Sequence, residues 1–333
     1  MRLIFELTEA CNQDCRFCYN HWRPNGCLPV DSRLARKTLV RLLNQAKIDS
    51  ISFSGGEPFL LDNLLDLVLK CRFKGISVNI LSNGTLISED NLQSLKNIGI
   101  NTLQIPLLSN DPAIHDYLTG VPGSWGKVCS SIVSSLAIIG PEHFAAVLIV
   151  TAQNCENIGD TLNLYKTLGI KFVMANRFNI GGNGLKNLNE LCLSKEGLRK
   201  SFKTISDFAI KNPEIKFVSG VCTPICLLNP VEYPGIRFTS CSSNFNNRPV
   251  AISFKGDVRF CNHSPFVLGN IWNRNINNIL NDETINAHYS SIPESCSRCE
   301  LYSQCKGGCR AASEQVYGSF DIVDPIMELS SAD

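Results

Sequence analysis

The chain has 333 residues, and its 31 lysines and arginines balance 30 aspartates and glutamates to a formal net charge of +1. That balance argues against a mainly electrostatic grip on nucleic acid or on an anionic membrane, and a hydrophobic content of 44% argues against a disordered or fibrous chain. With about 150 residues to a domain, two units are expected. No apolar run approaches the ~20 residues of a membrane span; the best, residues 145–150, has the length of a strand. The N-terminus reaches Glu6 too early for a signal peptide. A cytoplasmic protein with reduced thiols is therefore expected. Its 16 cysteines then need another explanation than disulfides, and metal comes first.

Six strands are predicted in chain order, over residues 2–8, 50–54, 76–82, 101–107, 145–151 and 171–176, with helical patterns between them. Asp31 is placed to N-cap the first helix, whose apolar face carries Leu34, Leu39, Leu42 and Leu43. The second helix runs near residues 60–73. Ser88 is placed to cap the third, with Glu89 and Asp90 in a first turn where the helix dipole favours acids. The fourth spans residues 124–139 and the fifth residues 156–168. Gly75, Gly99, Gly140 and Gly169 each stand between a helical run and the next strand, where a left-handed residue closes a helix.

Such alternation makes a parallel sheet with right-handed crossovers. Six units fall short of the eight of a closed barrel. The predicted fold class is therefore α/β: a partial (β/α)6 TIM-like barrel followed by a C-terminal cysteine-rich domain. The barrel is expected over residues 1–185, a helical linker over 186–215 and the cysteine-rich domain over 216–333. The site is expected at the strands' C-terminal ends. Cys71, Cys129 and Cys155, within the barrel's helical patterns, read as small buried hydrophobes, and Cys27 and Cys192 are read the same way.

The first strand runs into Cys11-Asn12-Gln13-Asp14-Cys15-Arg16-Phe17-Cys18-Tyr19. Three thiolates from one loop can hold three irons of a 4Fe–4S cluster and leave the fourth open. Zinc is the alternative, but it would want a fourth protein ligand nearby, and the loop offers no histidine or fourth cysteine. After the second strand comes Ser54-Gly55-Gly56-Glu57-Pro58, where glycines allow close backbone approach and Glu57 can pair with an ammonium. After the third comes Ser82-Asn83-Gly84. In this order, the three motifs resemble those of the radical S-adenosylmethionine (SAM) superfamily.

The resemblance implies a SAM-binding 4Fe–4S cluster on Cys11, Cys15 and Cys18, with Phe17 as the aromatic before the last cysteine. It implies SAM contacts from Gly55, Gly56, Glu57 and Pro58 toward the amino group and from Ser82 and Asn83 toward the ribose. Arg177, at the end of the sixth strand, is expected near the SAM carboxylate. The fourth strand departs from the common pattern, with Pro106-Leu107-Leu108-Ser109 offering a single hydroxyl. Asp116, Thr119-Gly120 and Gly123 read as a substrate-side loop without assigned chemistry.

Further on, Cys241 is followed by Gly256 and Cys261, then by Cys296-x2-Cys299-x5-Cys305-x3-Cys309. This resembles the SPASM extension of radical SAM enzymes, and six of its seven cysteine positions match. Residues 251–254 and 258–260 alternate like a hairpin turning at Lys255-Gly256-Asp257. The seventh cysteine is replaced by Val323 in Val323-Asp324-Pro325. The resemblance implies one or two auxiliary 4Fe–4S clusters. Cys241, Cys261 and Cys309 would hold one, with Cys226 preferred to Cys222 as its fourth ligand. Cys296, Cys299 and Cys305 would hold the other, with Asp324, Asp321, an outside ligand or none completing it. A structural zinc knuckle is the alternative for the last four cysteines.

The five histidines show no ligand spacing; His263 alone is considered for the substrate cavity. Gly181-Gly182-Asn183-Gly184 reads as a flexible bend, since no lysine follows at phosphate-loop spacing. The resemblance implies reductive cleavage of SAM to a 5′-deoxyadenosyl radical that abstracts hydrogen from a substrate, with an electron donor such as flavodoxin or ferredoxin. A peptide undergoing modification is the expected substrate. The first strand stands at the very start of the sequence, so no leader-peptide-binding domain is expected before it. That keeps a small metabolite, tetrapyrrole or sugar-derived, as the second reading. A non-catalytic iron–sulfur electron carrier is the rival from another class. No catalytic acid or base is assigned.

Overall fold

The computed structural model of the chain describes residues 1–242 and 244–329. Six parallel strands form in the predicted places: β1 (Arg2–Glu6), β2 (Ser50–Ser54), β3 (Ser77–Leu81), β4 (Thr102–Pro106), β5 (Phe144–Val150) and β6 (Phe172–Arg177). They lie side by side in sequence order. The connecting helices are α1 (Ser32–Gln45), α2 (Leu64–Phe73), α3 (Glu89–Ile98), α4 (Pro112–Thr119), α5 (Ser124–Ile138) and α6 (Ile158–Leu168). Asp31 caps α1 by accepting from Leu34 N at 2.8 Å. Ser88 and Asn91 close a reciprocal capping box at the start of α3.

Strand alternation decides which side of the sheet is dry. Leu3, Phe5, Ile51, Phe53, Val78, Ile80, Leu103 and Ile105 are buried, and with Leu39, Leu67, Leu95 and Ile132 of the helices they belong to the main core. Residues of the opposite parity are less buried and more polar: Ser50, Ser52 and Ser54 on β2, Asn79 on β3, Gln104 on β4. They face the barrel interior, and the last of each row reaches the strands' C-terminal mouth.

The sheet does not stop at six strands. Two short parallel strands, β7 (Lys216–Ser219) and β8 (Ile236–Phe238), extend it beyond β6. Between β6 and β7 lie two single-turn helices, α7 (Asn183–Lys186) and α8 (Leu188–Leu191), and the long α9 (Lys195–Lys211). On the other side the predicted hairpin forms as β9 (Val250–Ser253) and β10 (Asp257–Arg259), with Gly256 at φ +92° in its turn. This hairpin joins the barrel: β9 pairs in parallel with β1, Leu3 opposite Val250, and β11 (Val267–Asn270) completes an eleven-stranded sheet in the order β11-β10-β9-β1 through β8. Hydrogen-bonded pairing is thus unbroken across both expected domain boundaries. Among the described residues no helix is long and apolar enough to cross a membrane.

The β1–β9 seam carries a buried ion pair. Glu6, at the end of β1, is joined to Arg259 of β10, and both side chains are almost wholly buried. Arg259 also donates to Ser264 O at 2.8 Å. Removing one member of a buried pair leaves an uncompensated charge, at a cost of about 3–5 kcal/mol. Glu6→Leu is therefore expected to lower the urea midpoint sharply. The double variant Glu6→Leu/Arg259→Met is expected to recover much of that loss, and unfolding curves of the three proteins check this.

Candidate functional site: three thiol groups

The segment from Cys11 to Tyr19 has no regular structure, so its position must come from its neighbours. At its entry the β1–β2 ladder continues past the strands: Leu7 N donates to Ser54 O, Gly56 N to Thr8 O and Glu57 N to Ala10 O, at 2.9, 2.7 and 2.8 Å. A Cβ on Gly55 would stand 2.4 Å from Thr8 O, and one on Gly56 only 1.9 Å from Ala10 O. The two glycines are therefore required for this close approach. Farther along, Asp14 N and Arg16 N donate to Thr119 O and Leu118 O at the end of α4. A Cβ on Gly120 would meet Asp14 O at 2.5 Å.

The stretch read as a substrate-side loop is thus helix α4 and its C-cap, and it supports the cysteine loop from below. Asp116 accepts from Gly123 N, Ser124 Oγ and Trp125 N, which fastens α4 to α5. The glycine-rich turn after β6 does related work. A Cβ on Gly182 would lie 2.5 Å from Cys18 O, and Asn183 donates to Asp14 Oδ1 at 2.9 Å. That turn is a fitted surface against the cysteine loop, which corrects the expectation of a flexible bend.

The result is a cavity of about 200 Å³ at the C-terminal ends of β1–β5. Cys11, Cys15 and Cys18 line it together with Phe17, Gly55, Gly56, Ser82 and Asn83. Leu81, Pro106, Val147 and Ile149 make its apolar side. Burial first, and then the neighbouring thiols, push Cys15 well above its ordinary value; burial also raises Cys11 and pushes Cys18 up to about 11. The free thiols are therefore neutral, and metal must displace their protons. Asn83 Nδ2 lies 3.8 Å from Cys11 Sγ. Three thiols lining one cavity beside two side-chain-free backbones fit a 4Fe–4S cluster carrying a small ligand.

Glu57 stands one layer behind the cavity. It is fully buried and accepts from Phe59 N, Ser82 Oγ and Asn83 N at 3.0, 2.8 and 2.7 Å. Burial raises its pKa to about 7 despite these bonds. Its carboxylate thus ties the second motif to the third, while the buried Pro58 starts a 3-10 turn. Arg177 is not among the cavity walls. Its guanidinium is joined to Asp324 and donates to Thr223 Oγ1, Phe178 O and Cys222 O, which binds the end of β6 to the C-terminal segment. His263 is buried beneath Tyr19, with ring centroids 5.0 Å apart, and is bonded to Asn179 and Ile180 O. Tyr19, rather than His263, lines the cavity.

The sequence reading passed over Asn20, Arg23 and Gln315. Asn20 Nδ2 donates to Gly55 O at 3.1 Å. Arg23 bridges Gln13 O, Asp14 and Cys27, whose thiol is exposed, not core as expected. Gln315 joins three segments at once, donating to Tyr19 O and His263 O and accepting from Gly182 N. None belongs to a spaced motif, so only the fold identifies them.

The eight cysteines from Cys222 to Cys309 form two groups. The neighbouring Cys222 and the Arg248 guanidinium hold the Cys241 thiol down to about 6, while Cys222 is pushed up. Cys261 and Cys309 lie in the field of the same thiol. Cys226 instead lies in the field of Cys305, Cys296 and Cys299. Cys222, not the preferred Cys226, therefore stands beside Cys241. The linking segments explain the sorting: Arg177 holds Cys222 O, four residues before the thiol of Cys226. Among the described residues no three His, Cys, Asp or Glu side chains close on one point as ligands of a single ion do.

Comparison with known proteins agrees with this layout. The family model of the radical SAM superfamily matches residues 5–133, and that of an iron–sulfur cluster-binding domain, SPASM, matches residues 241–309. The chain is 26% identical over 348 residues to a PqqA peptide cyclase of Gluconobacter oxydans, covering 99% of this chain and 91% of that protein. It is 25% identical over 342 residues to a PqqA peptide cyclase of Xanthomonas campestris, covering 100% and 88%. Streptococcus suis SuiB bound to its precursor peptide SuiA superposes with a TM-score of 0.75 at 16% identity, over 97% of this chain and 74% of that one. The structure of anSMEcpe with bound AdoMet and the Cp18Cys peptide gives 0.72 at 20% identity, over 98% and 94%.

Gly56→Ala forces its Cβ into Ala10 O, so the cavity's backbone wall must move. Iron uptake by the Cys11–Cys18 loop and SAM binding are expected to fall at least tenfold. Gly126→Ala, within α5 and facing open space, is expected to leave both unchanged and to stabilise the fold by about 0.5–1 kcal/mol. Iron analysis, equilibrium dialysis and thermal unfolding read these outcomes.

Proposed function

The chain belongs to the radical SAM superfamily and carries a SPASM iron–sulfur domain, and from that premise we propose that its substrate is a peptide, which it modifies at a carbon centre. One observation carries the reading of the site: the three thiols, the two contact-tight glycines and the Ser82-Asn83 turn line a single cavity at the strands' C-terminal ends. The peptide substrate is supported by end-to-end similarity to two peptide cyclases.

In this reading Cys11, Cys15 and Cys18 hold the cluster, and the backbone at Gly55 and Gly56 receives the amino-acid end of SAM. Bound there, a 4Fe–4S cluster and SAM would supply the radical chemistry for removing a hydrogen atom from a substrate carbon. The protein's part is position and dryness. Glu57 fixes the Ser82-Asn83 turn in place through its three accepted hydrogen bonds. Asn83 stays within reach of Cys11 and of the Asn12 side chain, to which it donates at 2.8 Å. Leu81, Pro106, Val147 and Ile149 keep water from the side of the cavity where a reactive intermediate would otherwise be quenched. The C-terminal thiols hold auxiliary clusters, and a donor such as flavodoxin or ferredoxin supplies the electron.

Cys15→Ala is expected to abolish 5′-deoxyadenosine formation from SAM in the dithionite-reduced protein. The absorbance of the C-terminal clusters should remain largely intact. Normal 5′-deoxyadenosine yield from the variant would remove this loop from the reaction. Incubation with short precursor peptides, followed by mass spectrometry, tests the substrate class; turnover confined to small metabolites would overturn it.

A further inference from the structure

The SPASM pattern lacks its last cysteine here, yet the chain has two cysteines, Cys222 and Cys226, ahead of Cys241. We propose that Cys226 is the fourth thiolate of the cluster held by Cys296, Cys299 and Cys305, replacing the ligand lost at Val323. The inference rests on the reading that these thiols hold an iron–sulfur cluster.

Backbone geometry brings the Cys226 segment to that site. Ile225 N donates to Cys305 Sγ at 3.3 Å, so the residue before Cys226 already touches a thiol of the group. The Cys305–Cys309 loop is shaped to admit it. Lys306, Gly307 and Gly308 are all left-handed, at φ +58°, +80° and +79°, and Lys306 is the one non-glycine residue with positive φ among the described residues. A left-handed residue with a side chain is costly and is kept where the surroundings require it. Here the turn lets Pro224 press against Gly308, where a Cβ would lie 2.7 Å from the proline ring. On the same turn, a Cβ at Gly307 would lie 3.9 Å from Cys296 Sγ. One tight turn thus carries Cys296 and Cys305 on one side and the Pro224-Ile225-Cys226 run on the other.

Two other candidates, Cys222 and Asp324, are committed elsewhere, and Asp321 is exposed to solvent. Cys222 lies in the field of Cys241 and Cys309, on the other thiol group. Asp324 is buried, and its carboxylate accepts from Arg177, Cys309 N and Ile326 N. Turning it toward iron would strand the buried Arg177 guanidinium. Cys226 is exposed, its sulfur bonded among the described residues to Met327 Sδ alone, at 3.9 Å, and is free to reorient. A thiolate also suits iron better than a carboxylate does. With Cys226 in this group and Cys222 in the other, eight thiols make two complete sets of four. Each thiol releases its proton to solvent on binding iron.

The test counts iron and acid-labile sulfide on the anaerobically reconstituted full chain, with EPR of the reduced state. Three 4Fe–4S clusters give about twelve of each. Cys226→Ala is expected to lose about a third of both, or to keep them with a changed EPR signal. Cys226→Ala/Cys299→Ala should lose no more than Cys299→Ala alone, whereas Cys222→Ala/Cys299→Ala should lose about two thirds. Full iron with the unaltered EPR signal in Cys226→Ala would overturn the assignment of Cys226 while leaving the cluster. A parent count near eight unaffected by Cys299→Ala, or one zinc per chain lost in that variant, would overturn the cluster reading beneath it.

Discussion

A loop that must present three thiols inward cannot spend its backbone on a helix or strand, and the rest of the molecule is arranged around that constraint. The Cys11–Tyr19 segment takes its shape from outside: the extended β1–β2 ladder at its start, the end of α4 beneath it, the glycine turn after β6 at its side and Gln315 at its exit. Buried backbone groups must be satisfied somewhere, and here the partners come from segments spread from Thr8 to Gln315. The glycines at these contacts are small for a reason of distance: each stands where a Cβ would overlap a carbonyl oxygen.

The same logic ties the two parts of the chain together. Glu6–Arg259 and Arg177–Asp324 are buried ion pairs, one at each side of the barrel mouth, and each joins a barrel strand to the C-terminal part. Each arginine already holds a buried carboxylate. An arginine at the C-terminal end of a barrel strand looks like a carboxylate receptor when only its place in the sequence is known. Its partner, nearly 150 residues away in sequence, changes that view.

What could be read from the sequence followed periodicity and local chemistry. β1–β6, the Asp31 and Ser88 caps and the hairpin at Gly256 are encoded within a few residues of where they act, and they stand as expected. β7 and β8 are four and three residues long, too short to show an alternation. Asp116, Thr119-Gly120 and Gly123 read as a substrate-side loop by resemblance, whereas Gly120 is the C-cap of α4 and Gly123 the start of α5. The three-cysteine loop was legible because its ligands share one short segment. The division of Cys222 from Cys226 was not, because partners for thiols four residues apart are chosen by tertiary packing.

The pairing of β9 with β1 has a consequence for how the chain comes to exist. Leu3 and Val250 are neighbours across a parallel ladder, yet about 250 residues separate them in synthesis. At 5–20 residues per second, one edge of β1 waits roughly 12–50 s for its partner on the ribosome. During that interval Leu3 and Phe5 sit in a strand with an unpaired row of amides and carbonyls, which is a template for wrong partners. Non-local pairing of this kind also slows folding, because loop closure must precede the reward. Correct assembly of the sheet is therefore a late event, and the first strand made is among the last to be fully enclosed.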